Sequence, residues 1–115
     1  MSPTEQVVQL GYDKDVLHFR VEAPCFADRH RELTRAIRRV KEYNEFKGPD
    51  VADVVDTLVE HAIVTMVAFG REGSPVLYLE PNGPELIPTI KKAFEVSKPD
   101  ECDVQPDGTV RLWWD

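Results

Sequence analysis

The stretch Asp50–Phe69, DVADVVDTLVEHAIVTMVAF, lies near the centre of the 115-residue chain and decides how the other elements are arranged. Its first part places apolar residues at three- and four-residue spacing, which is the period of an amphipathic helix. Its last part, 62–69, is apolar nearly all round, as is typical of an element covered on several sides. β-branched side chains lower the helical propensity of this part, so a strand is the alternative there. Because the apolar stripe runs straight from the first part into the second, we expect one helix over about 50–69.

Two segments precede this stretch, a predicted hairpin and a predicted helix. In the hairpin, apolar and polar residues alternate on both sides of the turn residues Asp13–Asp15, which is the period of a strand. From about Phe26 to Phe46 the period becomes helical, and the segment 47–50, Lys-Gly-Pro-Asp, then ends this helix and begins the next. The apolar positions are Val8, Leu10, Tyr12, Leu17, Phe19 and Val21 in the hairpin, and Leu33, Ile37 and Val40 in the helix.

Three further elements follow it. A short strand covers about 75–80, and a helix whose regular part begins near residue 87 ends before Pro99. A second hairpin joins 101–105 to 109–114 through Pro106-Asp107-Gly108, an order that suits a type I turn with a left-handed glycine. The element order β-β-α-α-β-α-β-β predicts an α+β fold. We expect one compact domain over 1–115, with an antiparallel or mixed sheet of about five strands and three helices.

Composition restricts the class of partner. The formal net charge of −7 makes binding of nucleic acid or of an anionic membrane unfavourable, because both require a cationic surface. The longest apolar run is too short to span a bilayer, and no basic segment followed by an apolar run opens the chain. We therefore expect a cytoplasmic protein. Cys25 and Cys102 lack metal-ligand spacing, and they are either two free thiols or one disulfide.

Charge is segregated along the sequence. The window Phe26–Lys47 holds seven of the fourteen basic residues and four acidic ones, a net charge of +3 that leaves −10 for the rest of the chain. Four of its arginines fall on the flank of the predicted helix away from the apolar stripe. They are Arg31, Arg35, Arg38 and Arg39.

Three interpretations of this arginine flank remain open. The arginines can be solvated or paired with the acidic stripe that the next helix carries at Asp50, Asp53, Asp56 and Glu60. They can instead dock an acidic protein partner or a second copy of the chain, since the guanidinium fork grips carboxylates. Phosphate or nucleic-acid contact is the third interpretation, and the −10 carried elsewhere opposes it.

The two tryptophans are adjacent, at positions 113 and 114, so a regular strand points them to opposite faces. Val110 and Leu112 share the face of Trp114, which we expect to enter the core. Trp113 then lies on the other face with Arg111. Both are candidates for contact with a partner, because interfaces favour aromatic anchors. The alternative is a small second cluster in which Tyr78 or Tyr12 lies beside Trp113.

Catalytic and metal-binding motifs are lacking in the sequence. We therefore predict a non-enzymatic domain without metal or cofactor, which binds another protein or a second copy of itself. Inhibitors, immunity proteins, antitoxins and phage assembly or host-interference factors form this class. The alternative is a small enzyme or ligand-binding domain with a pocket between the sheet and the helix pair. Its acid–base residues would be His61 with Glu60, or His30 with Asp28.

Overall fold

The computed structural model describes the backbone of residues 17–22 and 26–115, and the side chains of Val21 and of 29–115. The predicted first strand, with Val8, Leu10 and Tyr12, and its turn lie outside the described residues. The strands are β1 (Leu17–Glu22), β2 (Glu42–Tyr43), β3 (Phe46–Lys47), β4 (Val64–Glu72), β5 (Ser74–Pro81), β6 (Glu101–Val104) and β7 (Val110–Trp113). The α-helices are α1 (Phe26–Arg39), α2 (Gly48–Glu60) and α3 (Ile87–Ala93). The predicted α+β class is confirmed.

The prediction of one helix over 50–69 is wrong in its second part. Helix α2 ends at Glu60, and Ala62 has a positive φ of 54° that turns the chain away from the helix axis. The residues that follow form β4, as their β-branched side chains favour. The segment is apolar on both sides because consecutive residues of β4, which point to opposite faces of the sheet, are all buried over 66–69.

Helix α1 also ends earlier than the sequence predicts. It stops at Arg39, and β2 and β3 form a small hairpin where we expected its last turns. The hairpin inserts Phe46 into the core, where its ring centroid lies 4.9 Å from that of Trp114 and 6.1 Å from that of Phe69. A β-carbon on Gly48 would lie 2.5 Å from the carbonyl oxygen of Ile37, so glycine is required where α2 begins beside α1. The predicted start of the next helix within 47–50 is confirmed, but the predicted end of the first helix there is wrong, because that helix ends at Arg39.

The five-stranded sheet has the order β1-β4-β5-β7-β6, and all of its neighbouring strands are antiparallel. We call the face that packs against the helices the inner face and the opposite one the outer face. The two predicted strands of the C-terminal hairpin and the helix that begins at residue 87 are confirmed. The core joins the inner face to the three helices through Leu33, Ile37, Val51, Val55, Leu58, Val67, Phe69, Leu77, Leu79, Ile90, Phe94, Val110, Leu112 and Trp114.

Candidate protein-binding surfaces

Helices α1 and α2 pack side by side, and opposite charges meet where they do. Arg38 Nη2 donates hydrogen bonds to Asp53 Oδ1 at 2.6 Å and to Asp56 Oδ2 at 3.1 Å. His30 Nε2 lies 3.8 Å from Asp56 Oδ1 on the same side of the pair. The hydrogen bond to Asp53 raises the pKa of Arg38 against the opposing effect of burial. We call this group, Arg38 with Asp53 and Asp56, the seam.

The other three arginines of α1 form a row, which we call the arginine ridge: Arg31, Arg35 and Arg39. Their four-residue spacing places them on one stripe of the helix, opposite the buried Leu33 and Ile37. All three are exposed. Within the described part of the chain, no ion pair or hydrogen bond joins a ridge guanidinium to a carboxylate. The ridge therefore presents three charges to the solvent that the described structure does not neutralise.

The outer face of the sheet carries a polar network centred on Glu72, the last residue of β4. Tyr78 Oη donates to Glu72 Oε1 at 2.8 Å, and Arg111 Nε donates to the same oxygen at 3.0 Å. Arg111 Nη1 also donates to Glu101 at 2.8 Å and to Asp103 at 3.2 Å. One arginine thus faces three carboxylates, and its side chain is only 17% exposed. The network keeps a net negative charge.

The network also shifts the pKa values of its members. Burial acts to lower the pKa of Arg111, but the hydrogen bonds with Glu101 and Glu72 outweigh it, so the pKa is raised. Arg111 is therefore charged at any physiological pH. Burial raises the pKa of Tyr78, and its hydrogen bond to Glu72 raises it further. Tyr78 keeps its proton and acts as a donor.

Trp113 lies on this outer face, half-buried, and its Nε1 donates to the backbone oxygen of Glu72 at 2.7 Å. To reach β4 from β7, the indole has to cross β5, where Val76 is its register neighbour. Val76 is fully buried although it points away from the helices. Trp113 therefore covers the outer face beside Tyr78. Trp114 is fully buried on the inner face, as the alternation predicts.

The six predicted partner-binding residues fall into two groups. Three of them hold bonds inside the fold: Arg38 at the seam, and Arg111 and Trp113 in the outer-face network. The remaining three are the arginine ridge. Glu72 is not among the site residues that the sequence predicts. Once β4 is recognised as a strand, alternation from Ala68 through Gly70 places Glu72 on the outer face.

The described residues of the alternative enzyme prediction have the following surroundings. His61 is exposed, and its Nδ1 lies 2.9 Å from Thr57 O of its own helix. His30 meets Asp56, while the side chain of Asp28 lies outside the described residues. Three shallow cavities of about 360, 320 and 310 Å³ have linings without histidine. Residues 17–22 and 26–115 contain no group of three or more His, Cys, Asp or Glu that could hold a metal ion.

Comparison with known protein families, curated proteins and solved structures finds no match to the chain. Among the described helices, none has the length and apolar character required to cross a membrane. Cys102 is a free, exposed cysteine on β6. Burial raises the pKa of its thiol, and the carboxylate of Asp103 adds to that shift against the opposing charge of Lys91. The thiol form therefore predominates at neutral pH, which makes Cys102 a weak nucleophile.

Proposed function

We propose that the chain is a non-enzymatic protein-interaction domain that binds an acidic surface of a partner protein through the arginine ridge. The observation that carries this proposal is the different environment of the arginines on one helix. Arg38 is paired with carboxylates of α2, whereas the ridge arginines are exposed and unpaired among the described residues. Exposed charges that the fold does not use are available to a partner.

The ridge has the geometry of a linear carboxylate receptor. Side chains four residues apart on a helix have Cβ atoms roughly 5–6 Å apart, so a partner helix with acidic residues at the same spacing would match it. Each guanidinium can hold a carboxylate through two parallel hydrogen bonds. An exposed pair of this kind contributes only about 0–1 kcal/mol, and pairs that an interface shields from water contribute more. The ridge therefore needs apolar contacts around it for tight binding.

The charge on the rest of the chain supports the choice of partner. With −10 outside the window Phe26–Lys47, an acidic protein is repelled from most of the surface and attracted to the helix that carries the ridge. This field orients the partner before contact and raises the association rate. A long polyanion such as nucleic acid would extend beyond the ridge into the repelling region. We place the encounter in the cytoplasm, where a free thiol such as that of Cys102 remains reduced.

A comparative capture experiment tests the proposal. The tagged chain is incubated with a lysate of the organism that makes it, and retained proteins are identified by mass spectrometry. The test variant is Arg31→Gln, Arg35→Gln and Arg39→Gln. The matched control is Lys91→Gln, Lys92→Gln and Lys98→Gln, which removes three exposed positive charges from another part of the surface.

The expected result is an acidic protein that the wild-type chain and the lysine control retain and the ridge variant loses. Its retention should also decrease as salt is raised from 50 to 300 mM, about the range in which exposed charge pairs become screened. A partner that all three proteins retain equally would overturn the assignment to the ridge.

A further inference from the structure

We propose that the open edge of β6 takes up an extended, basic segment of another protein as an additional strand. This surface is separate from the arginine ridge, and its use does not depend on the function proposed above. In the described sheet, β1 and β6 are the edge strands. All four residues of β6 are exposed, and among the residues with described side chains Val104 is one of two exposed large apolar ones, at 43%.

The direction of the backbone groups follows from the pattern of hydrogen bonds between β6 and β7. Gln105 N–H donates to Thr109 O at 2.8 Å, and the register pairs Val104 with Val110. In an antiparallel ladder, hydrogen-bonded pairs alternate with non-hydrogen-bonded ones. The pair next to Gln105 and Thr109 is therefore non-hydrogen-bonded, so Val104 directs its N–H and C=O away from β7. Cys102, two residues earlier, does the same.

The other side of β7 agrees with this pattern. Trp114 N–H donates to Pro75 O at 3.1 Å across the pairing with β5. The even-numbered residues of β7 thus bond to β5, and the odd-numbered ones bond to β6. Among the described residues, no backbone hydrogen bond joins the N–H of Cys102 or Val104 to another element. Two N–H and two C=O groups are therefore directed to the open edge, where a further strand can bond them.

The side chains of β6 define the chemistry of that strand. On the outer face, Glu101 and Asp103 share one positive partner, Arg111, with Glu72. The excess negative charge favours lysine or arginine on the outer face of an incoming strand. On the inner face, Cys102 and Val104 carry no charge and favour apolar residues. The segment that fits alternates basic and apolar residues.

The same carboxylates oppose pairing of β6 with a second copy of itself. Two copies of β6 would bring Glu101 and Asp103 of both chains to the same face, and like charges on adjacent strands are destabilising. Short, charged strands are a common protection of sheet edges against indiscriminate pairing. At β6 this protection is selective, because the excess carboxylates favour pairing with a basic strand over pairing with an acidic one.

The probe for this proposal is a synthetic peptide of alternating lysine and valine, with a peptide of alternating glutamate and valine as its control. Amide hydrogen exchange in the wild-type protein is followed by NMR with and without each peptide. We expect the lysine peptide to slow exchange at Cys102 and Val104, and the glutamate peptide to leave it unchanged. Unchanged exchange with the lysine peptide, or equal slowing by both peptides, would overturn the proposal.

A pair of variants tests the backbone directly. Val104→Pro removes an N–H that points away from β7, a position where an edge strand tolerates proline, and Val104→Thr keeps the N–H and the branched β-carbon. Loss of one such bond should weaken peptide binding about fivefold to tenfold in Val104→Pro. The threonine variant should bind like the wild type. Equal affinity of the two variants for the lysine peptide would contradict strand addition. If Val104→Pro does not fold, the exchange experiment on the wild-type protein decides whether the peptide binds at β6. Slow exchange without peptide, together with a doubled mass in solution, would assign the edge to a second copy and overturn the basic segment.

Discussion

The seam and the arginine ridge carry arginines of the same helix, yet the environments of these arginines differ. At the seam, Arg38 donates to two aspartates of α2 and to Pro49 O at 3.3 Å. On the ridge, Arg35 is three residues away and faces solvent. At the seam, carboxylates of α2 lie within hydrogen-bond distance of the helix α1 and pair with its positive charge. For the ridge arginines, the described structure supplies no carboxylate partner.

This difference separates charges that belong to the fold from charges that are available to a partner. The ion pairs of the seam contribute little to the stability of the contact between α1 and α2. Both partners of the Arg38–Asp53 pair are well exposed, at 39% and 69%, and exposed pairs stabilise weakly. The apolar stripes beneath the charges hold the helices to the sheet. The seam pairs fix how α1 and α2 are aligned, and the ridge contributes little to either task.

The largest expected effect concerns the apolar layer under the seam. Leu58 is almost fully buried in the core, so Leu58→Ala should lower the free energy of unfolding by roughly 2–5 kcal/mol through loss of burial and the cavity left behind. Urea denaturation followed by tryptophan fluorescence measures it. Val54→Ala is a useful control, since Val54 lies on the same helix and is only partly buried. A tolerant Leu58 would show that the apolar layer does not hold the helix pair.

A smaller effect is expected at the seam itself. Arg38→Ala should lower the free energy of unfolding by less than about 1 kcal/mol, because exposed ion pairs stabilise little. The same denaturation series reports it, with Arg35→Ala as the unpaired control from the same helix. A loss above about 2 kcal/mol for Arg38→Ala alone would mean that the seam is held by charge, and the contrast with the apolar layer would fail.

The sequence predicts those parts of the fold in which one period dominates. Alternation by two places Trp114 in the core and Trp113 outside it, and the helical stripe correctly includes Leu33 and Ile37. The type of an element that is apolar on all sides cannot be read from its period. For that reason the sequence predicts a helix over 62–69, whereas the β-branched residues from Val64 onward form β4.

The candidate surfaces were predictable only in part, for a physical reason. The sequence shows that Arg31, Arg35, Arg38 and Arg39 share a flank of α1, but which of them pairs depends on the angle at which α2 packs. A difference of one position along the helix rotates a side chain by about 100°, which is enough to separate Arg38 from Arg39. The partners of Trp113 and Arg111 were hidden for a different reason, since Glu72 and Glu101 come from other strands and meet them only through the sheet order.

The most direct test of the contrast between seam and ridge is the stability of the ridge variant, Arg31→Gln, Arg35→Gln and Arg39→Gln, relative to the lysine control. Both triple variants change the net charge equally, and each removes basic residues from the last turn of a helix. Glutamine has nearly the helix propensity of arginine. The predicted unfolding free energies of the two variants agree within about 1 kcal/mol, the size of a helix-end charge effect. A ridge variant less stable than the control by more than about 2 kcal/mol would show that these arginines serve the fold, and would contradict their assignment to a partner.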